Sequence, residues 1–233
     1  MIILFFFSLV YNKKLFRLIS SVLLSSILIV FVFVPLMPII LQFFEYHDST
    51  GYAIWRLIRF GYSFGFWAVL PIIIFRIICE EKKYYSLPTY GVQRENLFKS
   101  VKLFLLCSLI IVPADIASFV FDSGFLLSPE TPLIGSITFL DTFNEEFFFR
   151  GILFIVLLNN WDLRIAYIMS VSCFVLAHPR YLPFSSGLIF VTIMAVLASE
   201  ICRRSKNITG AWLLHGTHNT LLYAVLPYFF IPA

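Results

Sequence analysis

Glu145-Glu146-Phe147-Phe148-Phe149-Arg150-Gly151 lies inside a run of apolar residues long enough to cross a membrane. Two adjacent carboxylates and an arginine are costly in hydrocarbon, by roughly 2.5–3.5 kcal/mol each at the centre of an inserted helix. Such a group is either neutralised or used, so it marks a functional site by default.

The rest of the chain says that lipid is its solvent. It has 233 residues, 60% hydrophobic and 13% charged, with a mean hydropathy of +0.92. A soluble domain carries about 25% charged residues. The expected fold is all-α: a polytopic membrane helical bundle forming one domain over 1–233. The 28 Phe and 11 Tyr suit lipid contact and interfacial belts. A net charge of +4 spread over the connections reads as topology, so no nucleic-acid partner is expected. Cys79, Cys107, Cys173 and Cys202 have no CxxC or CxxH spacing and read as packing residues or reduced thiols. Met1–Val10 is too short to span, since a span needs ~20 residues. Lys13, Lys14 and Arg17 follow it, and no Ala-x-Ala-like site appears. It is expected to be a short interfacial or partly inserted helix, not a cleavable signal peptide.

The apolar runs predict about seven spans, near 18–44, 58–79, 99–121, 134–158, 164–182, 184–202 and 210–231. Pro35 and Pro38 are expected to kink or break the first near its outer end. The segment 80–102 reads as a loop leading into an amphipathic start of the third span. On this topology thirteen of the 17 Lys and Arg fall near 11–17, 76–102, 164 and 203–206. Arg56, Arg59 and Arg180 fall on the other side, and Arg150 lies within a span. The excess places the first set in the cytoplasm.

The polar residues inside the later spans form a short set: Asp141, Asn144, Glu145, Glu146, Arg150, His178, Glu200, His215, His218 and Asn219. Successive helical residues point about 100° apart, so Glu145 and Glu146 cannot serve one partner equally. Glu146 and Arg150 are four apart and share a face, so the pair can neutralise itself. Glu145 is left aimed at a cavity or another span. The alternative is one buried ion-pair network holding helices together. His178 precedes Pro179, which disfavours helix for the residue before it. The histidine is expected at a helix end, turned into a cavity or capping its own helix.

His215 and Asn219 share a face of the last span, where they could bond one oxygen, as an oxyanion site needs, or clamp two helices. Gly216 permits close approach of a neighbour. His218 reads as a packing or interfacial histidine. A zinc site from Glu145, His178 and His215 is chemically allowed, although HExxH is absent. No GxSxG supports a serine nucleophile. Adjacent carboxylates on one helix do not face each other as an aspartic dyad requires. A proton-coupled carrier would be expected to show an inverted repeat, and none is visible.

Glu145-Glu146-x3-Arg150-Gly151, Phe174-x3-His178 and His215-x3-Asn219, in that order, resemble the three motifs of the CPBP family, the CAAX-protease and bacteriocin-processing (Abi) intramembrane proteases. Gly210-Ala211-Trp212 looks like the short lead before the third motif. The resemblance covers about 134–223, and loosely the stretch around Gly91. It implies a multi-pass fold with a buried polar site, in which Glu145 and His178 activate a water. His215 and Asn219 would stabilise the oxyanion, and Glu146 and Arg150 would orient the first motif. The implied activity is intramembrane hydrolysis of a peptide bond, in a prenylated CAAX-type protein or a peptide precursor. Some members are instead catalytically silent immunity or scaffold proteins. The cofactor stays open between a divalent metal such as zinc and none. His218 beside Asn219 departs from the pattern. The expected partners are the lipid bilayer and the substrate, and the expected location is a bacterial plasma membrane.

Overall fold

The computed structural model describes residues 12–42, 49–121, 132–178 and 186–226. Met1–Val10, His47, most of the outer segment 122–133, Pro179 and Arg180 lie outside the described residues. Among the described residues every regular element is helical, as the apolar runs require of a chain in lipid.

Helix α1 (Lys13–Ile27) opens at Asn12, whose side-chain oxygen accepts from Leu15 N. It passes through a π-helical stretch, Leu28–Phe33, into α2 (Val34–Leu41). Proline removes a backbone donor and crowds the carbonyl four residues back. The expected break at Pro35 and Pro38 is thus a widening of the helix, which absorbs the crowding while the rod continues. The same device recurs where α3 (Ser49–Ser63) runs through π-helical Phe64–Val69 into α4 (Leu70–Cys79), which carries Pro71. This rod begins nine residues before the expected position 58, because Arg56 and Arg59 lie on the helix instead of flanking it. Arg56 is buried and stands 5.3 Å from the Tyr52 ring, with its Nε donating to Tyr52 Oη. Arg59 faces Asp141.

Next come α5 (Leu97–Phe121) and α6 (Pro132–Glu146). The latter continues without a break through π-helical Phe147–Val156 and α7 (Leu157–Asn160). Then follow α8 (Leu163–Leu176), α9 (Ser186–Ser205) and α10 (Thr209–Thr220), the last widening into π-helical Leu221–Val225. Phe147 to Leu157 is wholly buried, so the opening motif occupies the central rod.

Among the described residues three helices are long and apolar enough to cross a membrane: Lys13–Ile40, Gly51–Cys79 and Leu97–Val120. Leu163–Leu176 is apolar but shorter. The expected seven spans are not all of that kind, since the central rod carries Asp141, both glutamates and Arg150. Large apolar side chains face outward, Leu109 at 73% and Phe31 at 66% exposed, a surface suited to lipid.

The segment 80–102 is more ordered than a polar loop. It forms two short 3-10 turns, Lys82–Tyr85 and Leu87–Tyr90, and buries Tyr84 and Tyr90. Tyr90 Oη donates to Tyr84 O at 3.0 Å. Gly91, at φ 77°, turns the chain where side chains are disfavoured. The Tyr90 backbone then lies so close to Gly151 that a Cβ there would sit 2.8 Å from Tyr90 O. Asn207 locks the other end: its Nδ2 donates to Gln93 O at 2.7 Å and its Oδ1 accepts from Thr209 N at 2.8 Å. The turn therefore fixes both the Glu145–Gly151 rod and the start of α10.

Candidate active site

Glu146 closes α6, and Arg150 lies in the wide turns that follow. Both are fully buried. Arg150 Nη1 is 3.1 Å from Glu146 Oε1. Its Nη2 donates to Ala195 O of α9 at 3.3 Å, and its guanidinium stands 4.3 Å from the Phe174 ring centre. The same Glu146 oxygen meets His215 Nδ1 of α10 at 2.8 Å. One carboxylate thus answers a guanidinium from its own rod and an imidazole from another. The i,i+4 pairing expected from the sequence is present, with His215 as a third member.

His215 is fixed in orientation by that bond. Its Nε2 lies 3.4 Å from Asn219 Nδ2, one turn along the same helix. Trp212 anchors the helix, its Nε1 donating to Phe139 O of α6 at 3.0 Å. Gly216 lets the two helices touch, since a Cβ there would meet Phe139 Cδ2 at 2.7 Å.

His178 stands just past the end of α8, as the following proline predicts. Its Nδ1 lies 2.7 Å from Phe174 O. A carbonyl only accepts, so Nδ1 carries the proton and Nε2 is the acceptor of the neutral ring. The capping role and the turn toward the site are therefore compatible. Phe174 links the motifs: its ring lies 4.6 Å from His178 and 5.5 Å, edge-on, from His215. It had been visible in the sequence only as the first letter of a motif.

Glu145, rotated about a third of a turn from Glu146, is only half-buried. Among the described residues it makes no hydrogen bond. His215, Asp141, Arg59 and Glu146 are its electrostatic neighbours, and His178 is among those of Glu146. Asp141 lies one turn before Glu145. It accepts from Asn144 Nδ2 at 3.3 Å and faces Arg59 Nε of α3 at 3.5 Å. Glu200 is apart from the site, paired with Arg203 at 2.7 Å.

Among the described residues no three of His, Cys, Asp and Glu converge on a point that could hold a metal ion. Glu146 and Phe174 O each engage the Nδ1 of one histidine and leave the Nε2 side to other partners, but among the described residues Glu145, His178 and His215 are not grouped as a zinc set requires.

Sequence reading missed one pair altogether. Asp115, almost wholly buried in the apolar α5, lies 2.8 Å by Oδ1 from His218 Nδ1. The Phe190 ring lies 4.9 Å from the His218 ring. His218 therefore faces α5, and not Glu146 with His215. An isolated carboxylate in an apolar helix was the available signal.

Residues of all three motifs are thus linked, the first and third by the Glu146–His215 bond and the second through the Phe174 ring. Residues 127–221 match a family model, the type II CAAX prenyl endopeptidase Rce1-like family. The resemblance to the CPBP intramembrane proteases is thereby shown over that stretch. No curated protein and no solved structure matches the chain. The matched segment runs from just before α6 to the end of α10. It therefore includes the whole Glu146–Arg150–His215–Asn219 cluster, His178 and Phe174. Asp115 and Arg59 lie on helices that precede it.

Proposed function

We propose that the chain is an intramembrane endopeptidase acting on a prenylated CAAX-type protein, in a multi-pass bundle of about seven spans in a bacterial plasma membrane. Glu145 is the reactive carboxylate. It is the less buried of the pair and keeps its oxygens unengaged, whereas Glu146 is committed to Arg150 and His215.

Glu145, helped by the acceptor Nε2 of His178, takes a proton from a water. The water oxygen bonds to the scissile carbonyl carbon, and the carbonyl electron pair moves onto its oxygen. Collapse of that adduct breaks the C–N bond, and the proton held on Glu145 passes to the departing amine. Asn219 turns its Nδ2–H from His215 Nε2 to the oxyanion, and His215, its Nδ1–H held by Glu146, adds a second hydrogen bond when its Nε2 also carries a proton.

The observation that carries this reading is the 3.4 Å separation of His215 Nε2 and Asn219 Nδ2, with His215 fixed from behind by Glu146. Two nitrogens at that spacing can both lie about 2.9 Å from one oxygen. The test is mass spectrometry of a farnesylated CAAX peptide incubated with the purified protein in lipid. Release of the terminal tripeptide, lost in His215→Ala, is expected. Intact peptide throughout would overturn the reading and favour a silent member of the fold.

A further inference from the structure

Arg59 stands out among the charges near the site. It sits on α3, which packs on α6, and meets Asp141 by its Nε at a loose 3.5 Å. That Nε is buried with no hydrogen-bond partner. Among the described residues neither terminal nitrogen is engaged, and the side chain is 28% exposed. Asp141 meanwhile accepts from Asn144. A guanidinium approached from one edge only, in an apolar bundle, has an open fork. Planar forks of this kind bind carboxylates with two parallel bonds.

The location gives the fork a ligand. Asp141 and Glu145 are four apart and share a face of α6, about 6 Å along the axis. A CAAX substrate ends in a free carboxylate three residues beyond the prenylated cysteine. In an extended chain those residues place it roughly 10 Å from the scissile carbonyl.

Resting on the proposed function, we propose that Arg59 is the specificity residue that receives the C-terminal carboxylate of the substrate. Asp141 holds the guanidinium by its Nε edge and leaves the Nη fork to the ligand. The enzyme then measures the distance from a chain terminus to the bond it cuts, and internal peptide bonds lack the ion that Arg59 awaits. A buried polar group left unpaired by the wrong ligand gives the discrimination.

The experiment compares farnesylated CAAX peptides that differ only at the terminus, free acid against carboxamide, with wild-type protein in lipid. The free acid is expected to have a kcat/KM at least tenfold higher, mostly through KM. Arg59→Gln should lower kcat/KM for the acid toward that for the amide and leave the amide unchanged. Arg59→Lys should restore part of the preference. Equal cleavage of acid and amide by the wild type overturns this assignment while leaving the protease reading intact, and needs no variant to fold. A fall for both substrates alike in Arg59→Gln overturns it too, as the mark of a structural role. Failure of the wild type to cut either peptide refutes the protease reading, and the assignment with it.

Discussion

His215 of α10 and Glu146 of α6 share a 2.8 Å bond across 69 residues of chain. It joins the first and third motifs, and Arg150 closes the cluster from below. The carboxylate that the sequence assigned to support is thus the hub of the site, and its neighbour is the one left open.

Glu146→Gln keeps the shape but leaves Arg150 as a buried cation without its counter-charge. Breaking a buried pair in this way costs about 3–5 kcal/mol. A thermal melt in detergent should show the loss. The double change Glu146→Gln with Arg150→Met should melt higher than Glu146→Gln alone.

Asn219→Ala removes one of two proposed oxyanion donors. A fall of about 10²–10³ in kcat is expected, with KM nearly unchanged. The melting temperature should stay close to wild type, because Asn219 is only half-buried. Steady-state kinetics on a farnesylated peptide separates the two parameters.

His218→Ala should strand the Asp115 carboxylate, whose Oδ2 already lacks a partner among the described residues. A double-mutant cycle with Asp115→Asn should give a coupling of about 0.5–3 kcal/mol in melts. Additive effects would show that the 2.8 Å contact carries no energy.

Burial pushes the Tyr84 and Tyr90 phenols up from their usual range. A raised folded value favours the neutral form, so the stability it represents is fully present below the unfolded value of about 10. It is lost as the pH climbs from there through the folded values. Melts between pH 8 and 11 should fall above pH 10, and less steeply in Tyr84→Phe.

Gly151→Ala forces a Cβ to within 2.8 Å of Tyr90 O. Overpacking of this kind costs about 1–3 kcal/mol. Gly65→Ala, with nothing within 4 Å, is the matched control and should melt at the wild-type temperature or above.

The helices and the order of the motifs were legible in the sequence because both are local. Apolar runs marked the rods, Pro179 marked the end of α8, and spacings of four put Glu146 with Arg150 and His215 with Asn219. What was not legible depends on which helices touch. Asp115 and His218 are 103 residues apart with no pattern joining them. Arg56 and Arg59 looked like flanking charges, since sequence alone does not show that an aspartate on another helix and an aromatic turn receive them. Tyr84 and Tyr90 sat in a polar segment, and the rings that bury them, Phe75 of α4 and Phe147 of the central rod, carry no sequence pattern that joins them.

The most direct test of the account is the single-turnover rate of Glu145→Gln and Glu145→Asp against wild type, on a farnesylated CAAX peptide in lipid. Glu145→Gln should lose cleavage by at least a hundredfold while melting like wild type, and Glu145→Asp should keep a measurable fraction. Cleavage by Glu145→Gln at the wild-type rate would contradict the assignment of Glu145 as the carboxylate that activates water.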